Sequence, residues 1–210
     1  RVGAPGIASA SFDATASLFV RVSGCCAELL SQAFARYRRI VVSAIPKHLL
    51  VRAPGGVRND SVDSSLFECV ATATHNEFRT LHVHVGTEHA SKLSFGVDES
   101  YQLQLTTSGG ELRAPTEWGA LRGLETFVQL LHPLPAGRRA LCGLPLSISD
   151  APRLRWRGLL LDSGRHFLPL EGALLPALDA MEALKLNVLH WHLVDSQSFP
   201  YGSATHPRLA

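Results

Sequence analysis

Two short apolar runs flanking a helical stretch constrain the fold of this chain more than any other feature. "RGLLLD" at 157–162 and "LNVLHWHLVD" at 186–195 both read as strands. The first is a continuous run, as in a strand buried on both faces. Between them Leu174, Leu175, Leu178, Met181 and Leu184 recur at helical spacing, to about Lys185. Pro176 is tolerated only in a first turn, so the regular helix begins later than the apolar pattern indicates. Two strands joined by a crossover of this length pair in parallel, as a βαβ unit.

Parallel α/β architectures bind ligands at the C-terminal ends of their strands. Arg165 lies three residues past the first run, and Asp195 closes the second. A guanidinium presents a planar fork of donors that suits vicinal hydroxyls or a carboxylate. Asp195 can orient a hydroxyl or an imidazole. The spacing equally allows an Arg–Asp ion pair that ties two loops together. His190 and His192 point to one face of their strand, which raises a metal reading with Asp195 as third ligand. Against it, Asp195 falls on the opposite face of an unbulged strand, and two core histidines fit the pattern as well.

A boundary falls at 147–156, where "SISDAPRLRW" carries a proline and two arginines. Upstream, 17–22 reads as a strand, and 27–41 reads as a helix with Leu29, Leu30, Ala33, Phe34, Tyr37, Ile40 and Val41 along one stripe. "RAPGGVRND" at 52–60 is a loop by composition. "LHVHVG" and "YQLQLTT" alternate apolar and polar residues, and Gly109-Gly110 marks a hairpin turn. His82 and His84 are expected to face solvent, and the adjacent carboxylates Asp98 and Glu99 to serve a loop or a cap. Thr116 is an expected N-cap for a helix to about Leu131, with Trp118, Leu121, Leu124, Phe127, Val128 and Leu131 as its stripe and Pro133 and Pro135 beyond it. Trp118 and Trp156 are expected in the core. These elements predict an α+β unit, an antiparallel sheet with helices on one face.

Composition narrows the function. A net charge of +2 and 46% apolar residues argue against a disordered chain and against nucleic-acid binding by bulk charge. No run of about 18 apolar residues suggests a membrane span. Four cysteines, Cys25, Cys26, Cys69 and Cys142, contain no CxxC pair, which argues against a zinc knuckle. They leave open one bridge, from the 25/26 pair to Cys69 or Cys142, or buried thiols. Asn59-Asp60-Ser61 is a glycosylation sequon. With the cysteines it leans towards a lysosomal or secreted compartment. There is no phosphate-binding glycine loop and no Gly-x-Ser-x-Gly elbow.

"RWRGLLLDSGRHFLPL" followed by "LDAMEALKLNVLHWHLVDSQSFP" resembles the start of the catalytic barrel of β-N-acetylhexosaminidases, glycoside hydrolase family 20. Upstream, "CAELLSQAFARY", "VDESYQLQL" and "EWGALRGLETFVQLL" are similar to the small α+β domain before the barrel in eukaryotic, lysosomal-type members. The likeness covers about 25–205, with a weak middle at 43–75. It implies an N-terminal domain at 1–149, then the first βαβ portion of a TIM (β/α)8 barrel at 150–210.

The resemblance implies an exo-glycosidase that removes terminal β-linked N-acetylglucosamine or N-acetylgalactosamine by substrate-assisted, retaining catalysis. It implies a glycan substrate, no cofactor and no metal, and a homo- or heterodimer for the whole protein. By position, Arg165 resembles the arginine that binds hydroxyls of the terminal sugar. Asp195 resembles a carboxylate supporting a histidine near the acid/base site, and His192 lines the same pocket. Gly164 stands where Ser is usual and Ser196 where a second Asp is common, and the family's Gly-Gly-Asp-Glu catalytic pair does not occur in these 210 residues. The chain also opens on Arg1 rather than Met, and a complete barrel needs about 250 residues. Together these point to an N-terminal fragment, inactive alone. The alternatives are a metal-dependent hydrolase using His190, His192 and Asp195, and a non-catalytic sugar-binding or interaction protein.

Overall fold

The computed structural model describes residues 8–13, 19–23, 27–42, 78, 80–86, 93–133 and 138–209. Cys25, Cys26, Cys69, Asn59 and the loop at 52–60 lie outside them. The chain divides into two compact units, Arg1–Pro152 and Arg153–Ala210.

In the first unit β1 (Ala8–Asp13), β2 (Phe19–Ser23), α1 (Ala27–Val42), β3 (Thr80–Val85), β4 (Tyr101–Leu105) and β5 (Gly109–Ala114) are followed by α2 (Glu117–Gln129), β6 (His132–Pro133), β7 (Arg138–Leu144) and β8 (Leu146–Asp150). Two sheets result among the described residues, in the orders β2-β3-β5-β4-β8 and β1-β7-β6. The smaller is antiparallel.

The larger sheet corrects the antiparallel expectation, because it is mixed. β2 and β3 pair in parallel, as do β3 and β5, while β4 pairs antiparallel with both β5 and β8. The connection from β2 to β3 carries α1 and is long enough to return the chain to the end where β2 began. The β4–β5 hairpin then delivers β5 alongside β3 in the same direction. Alternation in sequence reports one covered face and one wet face. It does not report strand direction, and here parallel and antiparallel strands alike are covered on one face.

That covered face holds Leu81, Val83, Val85, Tyr101, Leu103, Leu105, Leu112 and Ala114. Leu30, Ala33 and Tyr37 of α1 and Ala120, Leu124 and Phe127 of α2 belong to the same core cluster. The Tyr37 hydroxyl donates to Leu121 O across the two helices, at 3.3 Å. On the opposite face His82 is exposed and His84 half-buried, as their alternation indicates. His84 bridges Ser23 Oγ at 2.5 Å and Glu111 Oε1 at 2.9 Å, joining three neighbouring strands.

Of the expected stripe Leu124, Phe127 and Leu131 are buried and Leu121 and Val128 pack against the same core, and small residues of α2 join them. Gly119, Ala120, Gly123, Leu124 and Phe127 are buried, while Trp118 and Leu121 are only partly so. The small residues let the helix lie close on the sheet. A Cβ at Gly119 would sit 2.1 Å from Ser100 O, and one at Gly123 would sit 2.3 Å from Leu112 Cδ1. Thr116 caps the helix by accepting from Gly119 N at 3.1 Å. Asp98 accepts from Ser100 N at 2.8 Å in the preceding loop. Glu99 pairs with Arg122 at 2.7 Å, with side chains only 8% and 14% exposed. Cys142 on β7 is disulfide-bonded, which removes the free-thiol reading for that residue.

The second unit contains β9 (Gly158–Asp162), a π-helical turn (Leu170–Leu174), α3 (Leu175–Ala183), β10 (Val188–His192) and a 3-10 turn (Pro207–Leu209). β9 and β10 pair in parallel. Pro176 lies in the first turn of the regular helix α3, directly after the π-helical turn at Leu170–Leu174. Burial on both faces of β9 is not found, since Leu160 is 56% exposed. Two strands and one helix cover only one face. Trp156 is likewise exposed rather than in a core, in the segment before β9.

Replacing Gly119 by Ala is expected to cost at least about 3 kcal/mol in urea unfolding, because the methyl meets backbone rather than a yielding side chain. Thr116→Ala is expected to cost about 1 kcal/mol.

Candidate functional site

The site grows out of strand register. β9 and β10 run in parallel and end on the same rung, Asp162 opposite His192. Ser163 N continues the ladder by donating to His192 O at 2.9 Å, and Trp191 Nε1 donates to Ser163 Oγ at 2.7 Å. Both chains therefore leave the sheet at one edge.

Each exit is turned by an aspartate. Asp162 Oδ1 accepts from the backbone N–H groups of Gly164 at 2.9 Å and Arg165 at 3.1 Å. Asp195 Oδ1 accepts from Gln197 N at 2.9 Å and Ser198 N at 3.0 Å. Short side chains that take backbone donors two and three residues on are the usual makers of such turns.

The two turns bring the side chains together. Arg165 Nη1 lies 2.8 Å from Asp195 Oδ2, 3.2 Å from Asp162 Oδ2 and 3.0 Å from His192 Nε2. A guanidinium only donates, so His192 Nε2 accepts in this contact. Among the described residues the Arg165 head makes its polar contacts through Nη1, with Nε and Nη2 open on a side chain 63% exposed. Asp195 is more enclosed, its side chain 17% exposed. The backbone N–H of Gln197 above all, then the Arg165 charge, Ser198 N and His192, hold its carboxyl below the usual aspartate value against the opposing effect of desolvation.

Arg165, His192 and Asp195 thus form one cluster. The expectation that Asp195 points away from His192 does not hold, because the strand ends at His192 and the turn swings the carboxylate back to 3.8 Å from Nε2. The same geometry lends the metal alternative no support. The Arg165 cation fills the space between His192 and Asp195, and no group of three His, Cys, Asp or Glu among the described residues is arranged to hold a metal ion. Sequence reasoning passed over Asp162, although it closes a strand and stands three residues before an arginine. A Cβ at Gly164 would lie 3.3 Å from Asp162 Oδ1 and 3.5 Å from Asp195 Oδ2, near ordinary contact, so a small side chain would fit there with little shift.

Because the Asp195 carboxyl is depressed, its contribution to stability is complete above the unfolded aspartate value of about 3.9 and is lost as pH falls through the lower folded value. The gap in thermal midpoint between wild type and Asp195→Asn is therefore expected to be constant near neutrality and to close below about pH 4.

Comparison with known proteins gives this edge a context. The sequence profile described as "beta-acetyl hexosaminidase like" matches residues 6–130, and that of the "Glycosyl hydrolase family 20, catalytic domain" matches residues 154–210. The chain is 38% identical over 182 residues to the beta-hexosaminidase subunit beta of Mus musculus, covering 87% of this chain. It is 39% identical over 188 residues to the subunit alpha of Bos taurus, covering 89% of this chain. It spans 30% and 31% of the length of those two relatives. Among solved structures, a chitobiase of Flavobacterium johnsoniae superposes with a TM-score of 0.67 at 28% identity, over 96% of this chain and 27% of that one. No helix among the described residues is long and apolar enough to cross a membrane. This chain belongs to glycoside hydrolase family 20, the family of the β-N-acetylhexosaminidases.

Proposed function

We propose that this chain is part of an exo-glycosidase that hydrolyses terminal, non-reducing β-linked N-acetylglucosamine or N-acetylgalactosamine from glycoconjugates. In this reading 1–149 is the domain that precedes the barrel, and 150–210 is the opening βαβ portion of a TIM barrel. The observation that carries the reading is the Arg165 head, tethered through Nη1 at the ends of two parallel strands with Nε and Nη2 left open. A planar pair of donors fits two neighbouring sugar hydroxyls. Asp195 and His192 hold that fork, and Asp195 also supports a histidine near the acid/base group.

The chemistry proposed is substrate-assisted. The substrate's 2-acetamido oxygen attacks the anomeric carbon, a glutamic acid protonates the leaving oxygen, and a neighbouring aspartate orients the acetamido group. Water then opens the cyclic intermediate with net retention. No cofactor or metal enters this scheme. The Asp-Glu pair it needs, in a Gly-Gly-Asp-Glu setting, does not occur in these 210 residues. A lysosomal or secreted location, glycosylation at Asn59 and a homo- or heterodimeric whole protein complete the proposal.

Purified 210-residue chain is expected to show no turnover of a nitrophenyl β-N-acetylglucosaminide, and clear turnover would overturn the proposed division of labour. In the longest chain the gene encodes, Arg165→Lys keeps the charge and loses the fork. It is expected to lower kcat/KM by about tenfold or more, as befits a lost charge-assisted hydrogen bond. Unchanged kcat and KM would remove Arg165 from the site.

A further inference from the structure

Asp162 has no role in the sugar-binding scheme above, yet it is the one partner of Arg165 supplied by the arginine's own turn. We propose that Asp162 is a positioning residue whose two carboxylate oxygens do separate jobs. Oδ1 folds the turn, and Oδ2 aims the Arg165 guanidinium at the terminal sugar. The sugar part of this inference rests on the hexosaminidase reading above.

The geometry separates the jobs by atom. Oδ1 accepts only backbone donors, Gly164 N at 2.9 Å and Arg165 N at 3.1 Å. Oδ2 accepts Arg165 Nη1 at 3.2 Å. Asp195 Oδ2 and His192 Nε2 approach the same nitrogen from β10 and the loop beyond it. Nη1 carries two hydrogens and faces three acceptors, so it is fully occupied within the protein. Nε and Nη2 then form the edge left for a ligand. The two hydrogens of Nη1 are shared among Asp195 Oδ2 and His192 Nε2 on the β10 side and Asp162 Oδ2 on the β9 side, so the head is held from both strands at once. An exposed arginine is a long, flexible side chain, and holding its head in place beforehand spares the ligand the cost of ordering it.

The two jobs come apart in the variant Asp162→Asn. The amide oxygen still accepts the two backbone N–H groups, but the amide nitrogen is a donor and offers Nη1 nothing. Asp162→Ala loses both jobs. The test uses the longest chain the gene encodes, with a nitrophenyl β-N-acetylglucosaminide as substrate. A second readout is the rate at which phenylglyoxal labels Arg165, followed by peptide mass spectrometry. For Asp162→Asn the expected result is KM raised about tenfold, kcat within about twofold, an unchanged thermal midpoint and several-fold faster labelling. Asp162→Ala is expected to add a lowered thermal midpoint to the same kinetic change.

A wild-type KM and a wild-type labelling rate in Asp162→Asn would overturn the proposal and leave Asp162 as a turn-former only. If the wild-type chain itself does not hydrolyse the substrate, the hexosaminidase reading fails. The labelling rates then still decide whether Asp162 holds Arg165: faster labelling in Asp162→Asn upholds that hold, and unchanged labelling refutes it.

Discussion

Parallel register between β9 and β10 is the constraint on which the candidate site depends. Because both strands end on the Asp162–His192 rung, the two loops start side by side. A slip of one residue would move one aspartate to the other face and break the cluster. The hydrogen bonds from Ser163 N to His192 O and from Trp191 to Ser163 Oγ extend that register past the last rung. Tertiary precision at Arg165 is thus inherited from backbone pairing, and the side chains add the final direction.

The first unit depends on a different constraint, the distance between α2 and the sheet beneath it. Glycines at 119 and 123 and alanine at 120 set that distance, and larger residues at either side close over the contact. The Glu99–Arg122 pair and the Thr116 cap then fix where the helix begins relative to β4 and β5. A buried ion pair of this kind gives orientation more than net stability, since desolvating two charges offsets much of their attraction.

Several features were legible because they rest on local rules. The βαβ pattern follows from two apolar runs and a helical spacing between them. The place of Pro176 follows from its missing N–H, and the Thr116 cap from a hydroxyl just before an apolar run. Membership of the hexosaminidase family followed from long contiguous stretches around Arg165 and Asp195. Other features were not legible. Strand direction in the larger sheet escaped because alternation measures coverage of a face, not polarity. The stripe expected on α2 was legible at Leu124, Phe127 and Leu131, but the burial of Gly119, Ala120 and Gly123 beside it was not, because large apolar residues are the usual sign of a core face and here close approach also drew in the smallest ones.

What the sequence determined by itself is the inventory and its order: which segments extend, which coil, and which charged residues stand just past strand ends. Tertiary structure decided which of those residues meet. Asp195 lay on the wrong face by strand periodicity and reached Arg165 only because β10 stops at His192 and its loop turns back. Asp162 looked like an ordinary strand end until its carboxylate was found spanning a turn and a guanidinium. Periodicity along a chain cannot encode such encounters, because they arise from where two separate backbones leave a shared sheet.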